Sequence, residues 1–276
     1  GQSIYHITIN NSDQINWSSK TLYTYINKGL LQAKPIDMPR TVRRKPKKKK
    51  SINHKVDSKC RQGRNFDDYH AYMEEHPDSI VCQIDTVEGT KGGKCILTLC
   101  FVTLKFQFGI LREHNDSHSV TQAFQYLYSI MDRNLFHLLF DVILTDNGTE
   151  FSNPTAIESL EDNGIHPHVF YCEPNRSDQK GACENDHSNF RRIVPKGTNM
   201  DPYTQELIDL IFSHVNSFSR TSLNGHTPYE SFRFLYGRDI LDLWHIRYIK
   251  PNDVILKPSL VNQFFKKEGE CHNDVH

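Results

Sequence analysis

The stretch Leu144-Thr145-Asp146-Asn147-Gly148-Thr149-Glu150-Phe151 decides how this chain is read. An aspartate ends the apolar run Leu138 to Leu144. Glu184 stands 38 positions after it, in Gln179-Lys180-Gly181-Ala182-Cys183-Glu184-Asn185-Asp186-His187, where it opens a basic helix. An earlier strand, Ser79-Ile80-Val81-Cys82-Gln83-Ile84, delivers Asp85 at its end. Two strand-end aspartates and a helix glutamate are how a metal-dependent phosphoryl-transfer site is assembled from distant pieces. Transfer at a phosphodiester leaves a protein little covalent work; it needs divalent metal to activate the attacking oxygen and to neutralise charge. Magnesium suits carboxylate oxygens and retains several of its waters.

Each residue also has a plain architectural reading. Asp146-Asn147-Gly148 is a good turn sequence, Glu184 suits the positive end of a helix dipole, and Asp85 can cap a loop. The order strand-Asp, strand-Asp-Asn-Gly, helix-Glu favours chemistry, with Asp85 as the carboxylate shared between two ions. Arg191 and Arg192 lie seven and eight residues beyond Glu184, where backbone phosphates would pass. His187 and Lys180 are further candidates for phosphate contact, and Glu150 and Asp186 for support of the trio.

Working outward, strands are expected over Ile80 to Thr86, Lys94 to Thr103 and Phe106 to Arg112, joined through glycines as a meander. Ser117 opens a helix whose Val120, Phe124, Leu127 and Met131 recur at helical spacing. Leu138 to Leu144 reads as a short buried strand. Helix over Pro154 to Asn163, strand over His168 to Tyr171, and helices over Gly181 to Val194 and Tyr203 to Ser219 complete a mixed α/β plan with ligands at carboxyl strand ends. Leu243 to Leu256 is expected to pack on this core.

The formal net charge is +0, but it is segregated. Thirteen of the 33 lysines and arginines fall between residues 34 and 64, against Asp37 and Asp57 alone among 33 acids. Arg43, Arg44, Lys45, Lys47 and Lys48 sit in a stretch with nothing to bury, which reads as an extended linker for a polyanionic partner. Before it, Ser18 or Ser19 caps a helix through Lys28, ended by Gly29, with Leu22, Ile26 and Leu30 inward and Lys20, Thr21, Thr24 and Lys28 outward. Lys20 and Thr21 suit a helix start set in a DNA groove. Seven cysteines without a Cys-x-x-Cys pair argue against a disulfide framework or zinc ribbon and fit a reducing cytoplasm. No apolar run approaches the roughly 20 residues needed to span a bilayer.

Several motifs together resemble bacterial insertion-sequence transposases of the IS-thirty family. They are Thr145-Asp-Asn-Gly-Thr-Glu-Phe151, the Gln179-Lys-Gly-x-x-Glu-Asn185 helix start, Arg191-Arg192-x-x-Pro195-Lys-Gly-Thr198, and Ser222-Leu-Asn-Gly-x-Thr-Pro-Tyr-Glu230 with Phe234-Leu-Tyr-Gly237. The stretch Ser19-Lys20-Thr21-Leu22-Tyr23 to Gly29 is similar to that family's second helix-turn-helix. The resemblance implies a ribonuclease-H-like catalytic domain of the D-D-E type, like that of retroviral integrases. Its acidic residues carry over onto Asp85, Asp146 and Glu184, holding Mg²⁺ (or Mn²⁺). The implied activity cuts element ends and joins the new 3′-hydroxyl to target DNA. The implied partners are double-stranded DNA, as terminal inverted repeats and target, and further copies of the chain as a dimer or larger assembly, in the bacterial cytoplasm. The expected organisation is a partial helix-turn-helix unit (1–33), a basic linker (34–77), the catalytic domain (78–240) and a C-terminal extension (241–276). The family's upstream helix-turn-helix is missing, so the chain looks truncated at its N-terminus. A DNA-binding remnant without chemistry, and a nuclease that cuts without joining, are the alternatives.

Overall fold

A computed structural model of the protein describes residues 1–38, 58–160, 166–174, 176, 179 and 188–273. Its centre is a five-stranded mixed sheet of β1 (Val81–Glu88), β2 (Cys95–Phe101), β3 (Phe106–Arg112), β4 (Val142–Thr145) and β5 (His168–Tyr171), in the order β3-β2-β1-β4-β5. The first three strands form an antiparallel meander, and β4 and β5 add in parallel on the far side of β1. Every residue of β2 is buried, as expected of an unbroken apolar run covered on both faces. Gly92 takes φ +84° in the β1–β2 hairpin, a conformation that favours glycine.

Helices cover both faces. Around the sheet lie α1 (Ile4–Asn10), α2 (Ser19–Asn27), α3 (Phe66–Glu75), α4 (Ser117–Ile130), α5 (Arg133–Leu139) and α6 (Pro154–Glu158). A helical stretch α7 at residues 188–193 follows, then α8 (Gln205–Asn216), α9 (Pro228–Tyr236), α10 (Asp239–Leu243) and α11 (Ser259–Asn273). Asp116 caps α4 by accepting from Ser119 N–H at 2.8 Å, and Val120, Phe124 and Leu127 are buried beneath it. The main core joins this helix to an aromatic layer in which Phe232 stacks on Phe106 and Trp244 on Phe108, both at 4.1 Å between centroids. Each fully buried phenylalanine contributes about 1.5–3 kcal/mol. Leu241, Trp244, Ile246, Val254 and Leu256 belong to this core, so the C-terminal stretch packs where its apolar residues pointed.

The edge strand β3 is closed by α8. Asn216 accepts from Gln107 N–H at 3.0 Å and donates to Gln107 C=O at 2.6 Å, while Gln205 accepts from Leu111 N–H and donates to Gly109 C=O, both at 2.8 Å. Side-chain amides thus occupy backbone groups that would otherwise template another strand.

Three local expectations are corrected. Leu138 and Leu139 end α5, with Leu138 51% exposed, and the strand begins only at Val142; a short apolar run does not declare its period. Leu30 lies past Gly29 and is 64% exposed, leaving Ile4, Leu22 and Ile26 as the core of the α1–α2 pair. The stretch read as linker contains α3, whose Phe66, Tyr69, Tyr72 and Met73 pack on Val142, Leu144, Phe170 and Cys172. Asn65 caps it with a reciprocal bond to Asp68. The expected helices over Pro154 to Asn163 and Tyr203 to Ser219 are observed as the shorter α6 and α8.

The α1–α2 pair sits on the C-terminal segment through His6, which is fully buried. His6 Nδ1 accepts from Ser219 N–H at 3.0 Å, so its proton lies on Nε2 and is donated to Pro251 C=O at 2.9 Å. Burial lowers the pKa of His6 and keeps it neutral.

Candidate active site

Asp85 lies in β1 and Asp146 immediately follows β4. The register pairs Gln83 with Leu144. Asp85 and Asp146, each two residues further along parallel neighbours, therefore come side by side. Asp146 follows the end of β4, but Asp85 lies within β1 and not at its end as the sequence suggested, because pairing with β2 carries the strand on to Glu88. Both are half-buried. Asp85 C=O accepts from the Thr98 hydroxyl at 3.0 Å and its Oδ1 from Thr86 N–H at 3.0 Å. Asp146 Oδ1 accepts from Gly148 N–H at 3.0 Å, an Asx turn, and Asn147 Nδ2 donates to Cys172 C=O at 2.6 Å. The Asp-Asn-Gly sequence is thus both a turn and the carrier of a strand-end carboxylate.

A third carboxylate leans over the turn. The Glu150 side chain covers Gly148 so closely that a Cβ there would lie 2.5 Å from Glu150 Oε2. Burial raises the Glu150 pKa, and Asp146 pushes it the same way, against a hydrogen bond with Thr86 and the attraction of Arg112. Behind these groups lies Arg112, 4% exposed, whose Nη2 donates to the Thr86 hydroxyl at 2.8 Å and Nη1 to the Ser119 hydroxyl at 2.9 Å. Burial lowers its pKa against the attraction of Glu150, Asp116 and Glu88. A buried guanidinium here offsets part of the mutual repulsion of carboxylates gathered at one sheet end.

Arg191 reaches this end from α7. Its Nη2 donates to Glu88 C=O at 2.9 Å, and Asp85 and Glu88 attract it against the lowering effect of burial. Arg192 turns away, donating to Gly1 C=O and, at 3.3 Å, to Asn189 Oδ1. Consecutive helical residues diverge by about 100°, so only the first of the pair faces the aspartates. From the other side Arg61, in a 3-10 turn at Ser58–Arg61, donates to Asn147 C=O at 3.1 Å and lies over the Tyr171 ring at 5.5 Å.

Lys20 and Thr21 occupy the first turn of α2; Lys20 is exposed and the Thr21 hydroxyl is bonded to Ser18 at 2.9 Å. Glu184, Lys180 and His187 lie outside the described residues, as do Arg43, Arg44, Lys45, Lys47 and Lys48. Among the described residues no group of three His, Cys, Asp or Glu is set to hold a metal ion. The described residues bring Asp85 and Asp146 together, and Glu184, the third acid of the sequence reading, lies outside them. Sequence reasoning did not single out Arg61 or Arg112: neither belongs to a motif, and only the meander and the fold-back of residues 58–64 bring them to the aspartates. No helix among the described residues is long and apolar enough to cross a membrane.

No family model matches the chain. A probable transposase for an insertion-like sequence element of Streptococcus salivarius is 29% identical over 224 residues, covering 75% of this chain and 56% of that protein. A transposase for an insertion sequence element of Cupriavidus metallidurans is 39% identical over 83 residues, 30% of this chain and 23% of that protein. The InsI transposase for insertion sequence element IS30A of Escherichia coli (strain K12) is 30% identical over 146 residues, 53% of this chain and 36% of that protein. The chain thus spans about half the length, or less, of the curated relatives it matches. Among solved structures, the catalytic core domain of BIV integrase aligns with a TM-score of 0.38 at 20% identity, over 55% of this chain and 92% of that one. The chain is similar to insertion-sequence transposases, IS30 members among them, as its motifs implied.

Proposed function

We propose that this chain is the catalytic part of a DNA transposase, cutting the ends of a mobile element and transferring the new 3′-hydroxyl strand to target DNA. The observation that carries the reading is the β1–β4 register, which sets two half-exposed aspartates side by side on adjacent central strands. The sequence similarity to transposases supports the same reaction class.

The donor chemistry fits Mg²⁺, or Mn²⁺ in its place. Asp85 and Asp146 offer hard carboxylate oxygens, the donors that suit magnesium and manganese. They would hold the ions with Glu184, and the bound cations would supply activation of the attacking oxygen and charge neutralisation at the phosphate. The chain's own residues do the positioning. The Asx turn and the Thr86 amide each fix one oxygen of an aspartate. Arg191 stands beside Asp85 as a cation for a passing phosphate, and Arg112 counters carboxylate repulsion from behind. Lys180 and His187, with Lys20, Thr21 and the basic segment, would meet double-stranded DNA, and two element ends call for at least two copies of the chain.

The test is cleavage and joining on labelled duplexes bearing the repeats that flank the gene, with Mg²⁺ or Mn²⁺, comparing the unaltered protein with Asp146→Asn. Metal-dependent joined product lost in the variant is expected. Hydrolysis without joining would make the chain a nuclease, and tight binding without product would make it a DNA-binding remnant.

A further inference from the structure

The turn that carries Asp146 is gripped at both ends by two residues that touch each other. Arg61 Nη2 donates to Asn147 C=O at 3.1 Å, at the start of the turn. The Tyr171 hydroxyl donates to Phe151 C=O, at its end. The Arg61 guanidinium lies over the Tyr171 ring, 5.5 Å from its centroid, which is cation–π range. Tyr171 is 2% exposed and closes β5, and burial raises the pKa of its hydroxyl, so it stays a donor.

Arg61 is itself held from the next turn of chain. Arg64 C=O accepts from Tyr171 N–H at 2.8 Å. The Arg64 guanidinium meets Glu158 in a two-pronged pair, Nε to Oε1 at 2.8 Å and Nη2 to Oε2 at 2.5 Å. Residues 58–64, the end of the basic stretch, are therefore fastened along β5 with Arg61 aimed at the catalytic turn. A planar fork that bonds a carbonyl while stacking on a ring fixes direction as well as distance, which a lysine ammonium does not.

We propose that Arg61 and Tyr171 form a clamp that positions the Asp146 turn, making Arg61 a positioning residue supplied from outside the sheet. The clamp stands on geometry alone; its consequence for metal binding and strand cleavage rests on the transposase reading. Loss of either grip frees the turn, and the aspartate then samples directions that do not converge with Asp85.

The test is hydrogen–deuterium exchange on the full chain, for the unaltered protein, Arg61→Gln, Arg61→Lys and Tyr171→Phe. Tyr171→Phe keeps the ring under the guanidinium and removes only the hydroxyl, so it perturbs packing least. Exchange of the Gly148, Phe151 and Ser152 amides, which are bonded within the turn, is expected to quicken tenfold or more in Arg61→Gln and Tyr171→Phe. It should fall in between in Arg61→Lys, which still donates to Asn147, with β2 and β3 amides unchanged in all three. In parallel, half-saturating Mn²⁺ should rise several-fold while duplex affinity holds. Unchanged exchange at the turn would overturn the clamp, as would equal quickening throughout β4 and β5. Absence of Mn²⁺ binding and cleavage in the unaltered protein would sink the transposase reading, and exchange would still decide the clamp.

Discussion

Replacing Arg64 with methionine should cost about 3 kcal/mol of folding stability. Its partner Glu158 is 4% exposed, and Glu158 Oε1 also accepts from Val169 N–H on β5 at 3.3 Å. Methionine keeps the aliphatic bulk but removes both charge-assisted bonds, leaving a carboxylate buried with one weak backbone donor. Breaking a buried pair on one side costs about 3–5 kcal/mol. The Arg64 side chain is 23% exposed, so water can reach the vacated place and the lower end applies. For a domain of this size that corresponds to a fall in Tm of roughly 6–12 °C. The assay is urea unfolding with a thermal melt beside it. The pair Arg64→Met with Glu158→Gln should recover at least ~1 kcal/mol, because the amide still accepts from Val169 and leaves no buried charge. A single-variant loss below ~1 kcal/mol, or a double variant as unstable as the single, would refute the reasoning and detach residues 58–64 from the stability of the sheet.

Two further outcomes follow from the same physics. Burial pushes Asp209 up to about 6 and His214 down to about 4, where His214 Nδ1 accepts from Ile255 N–H at 3.1 Å. The folded state holds the Asp209 proton that the unfolded chain gives up, so Asp209 draws stability down as pH rises from about 4 to 6. His214 does the reverse: the unfolded chain takes up a proton below 6.5 that the folded one refuses down to about 4, so stability rises with pH. Urea midpoints between pH 4 and 7 should therefore climb more steeply in Asp209→Asn and fall with rising pH in His214→Gln; parallel profiles in all three proteins would contradict this. Separately, Gly109→Ala would set a Cβ 2.4 Å from Phe212 Cε2 and 2.8 Å from Ile96 Cγ2. It should lose about 1–3 kcal/mol by urea unfolding; an unchanged midpoint would show that α8 can shift off β3.

The sheet was legible in the chain because its signals are local. Val, Ile, Leu and Cys runs mark β1 and β2, glycines mark the hairpin, and His168–Tyr171 falls where a short apolar run lies before a Pro-Asn loop. The approach of Asp85 to Asp146 was legible in outline, since both were read onto neighbouring strands, but Asp85 lies within β1 and not at its end, and the register that makes the two neighbours is a tertiary fact. Less was readable where the signal depends on a distant surface. The aromatic spacing Phe66, Tyr69, Tyr72 in α3 sits beside Asp67, Asp68, His70 and Glu74. It reads as an apolar face only once Val142, Leu144 and Phe170 stand opposite. Arg112 ends a strand like any surface arginine, and becomes a buried counter-charge only because β3 and β1 flank the fully buried β2. Arg191 and Arg192 look equivalent in sequence and part company on the helix, one toward Glu88 and the other toward Gly1.

The most direct test of the central claim is to map the metal. Iron(II) placed in a magnesium site, with ascorbate and peroxide, cuts the backbone beside the bound ion, and the fragments locate it. The unaltered protein should be cut next to Asp85 and within the Asp146–Gly148 turn, magnesium should suppress both cuts, and Asp146→Asn should abolish both together. Cuts elsewhere, or cuts that persist in Asp85→Asn and Asp146→Asn, would show that the paired aspartates are not a divalent-metal site.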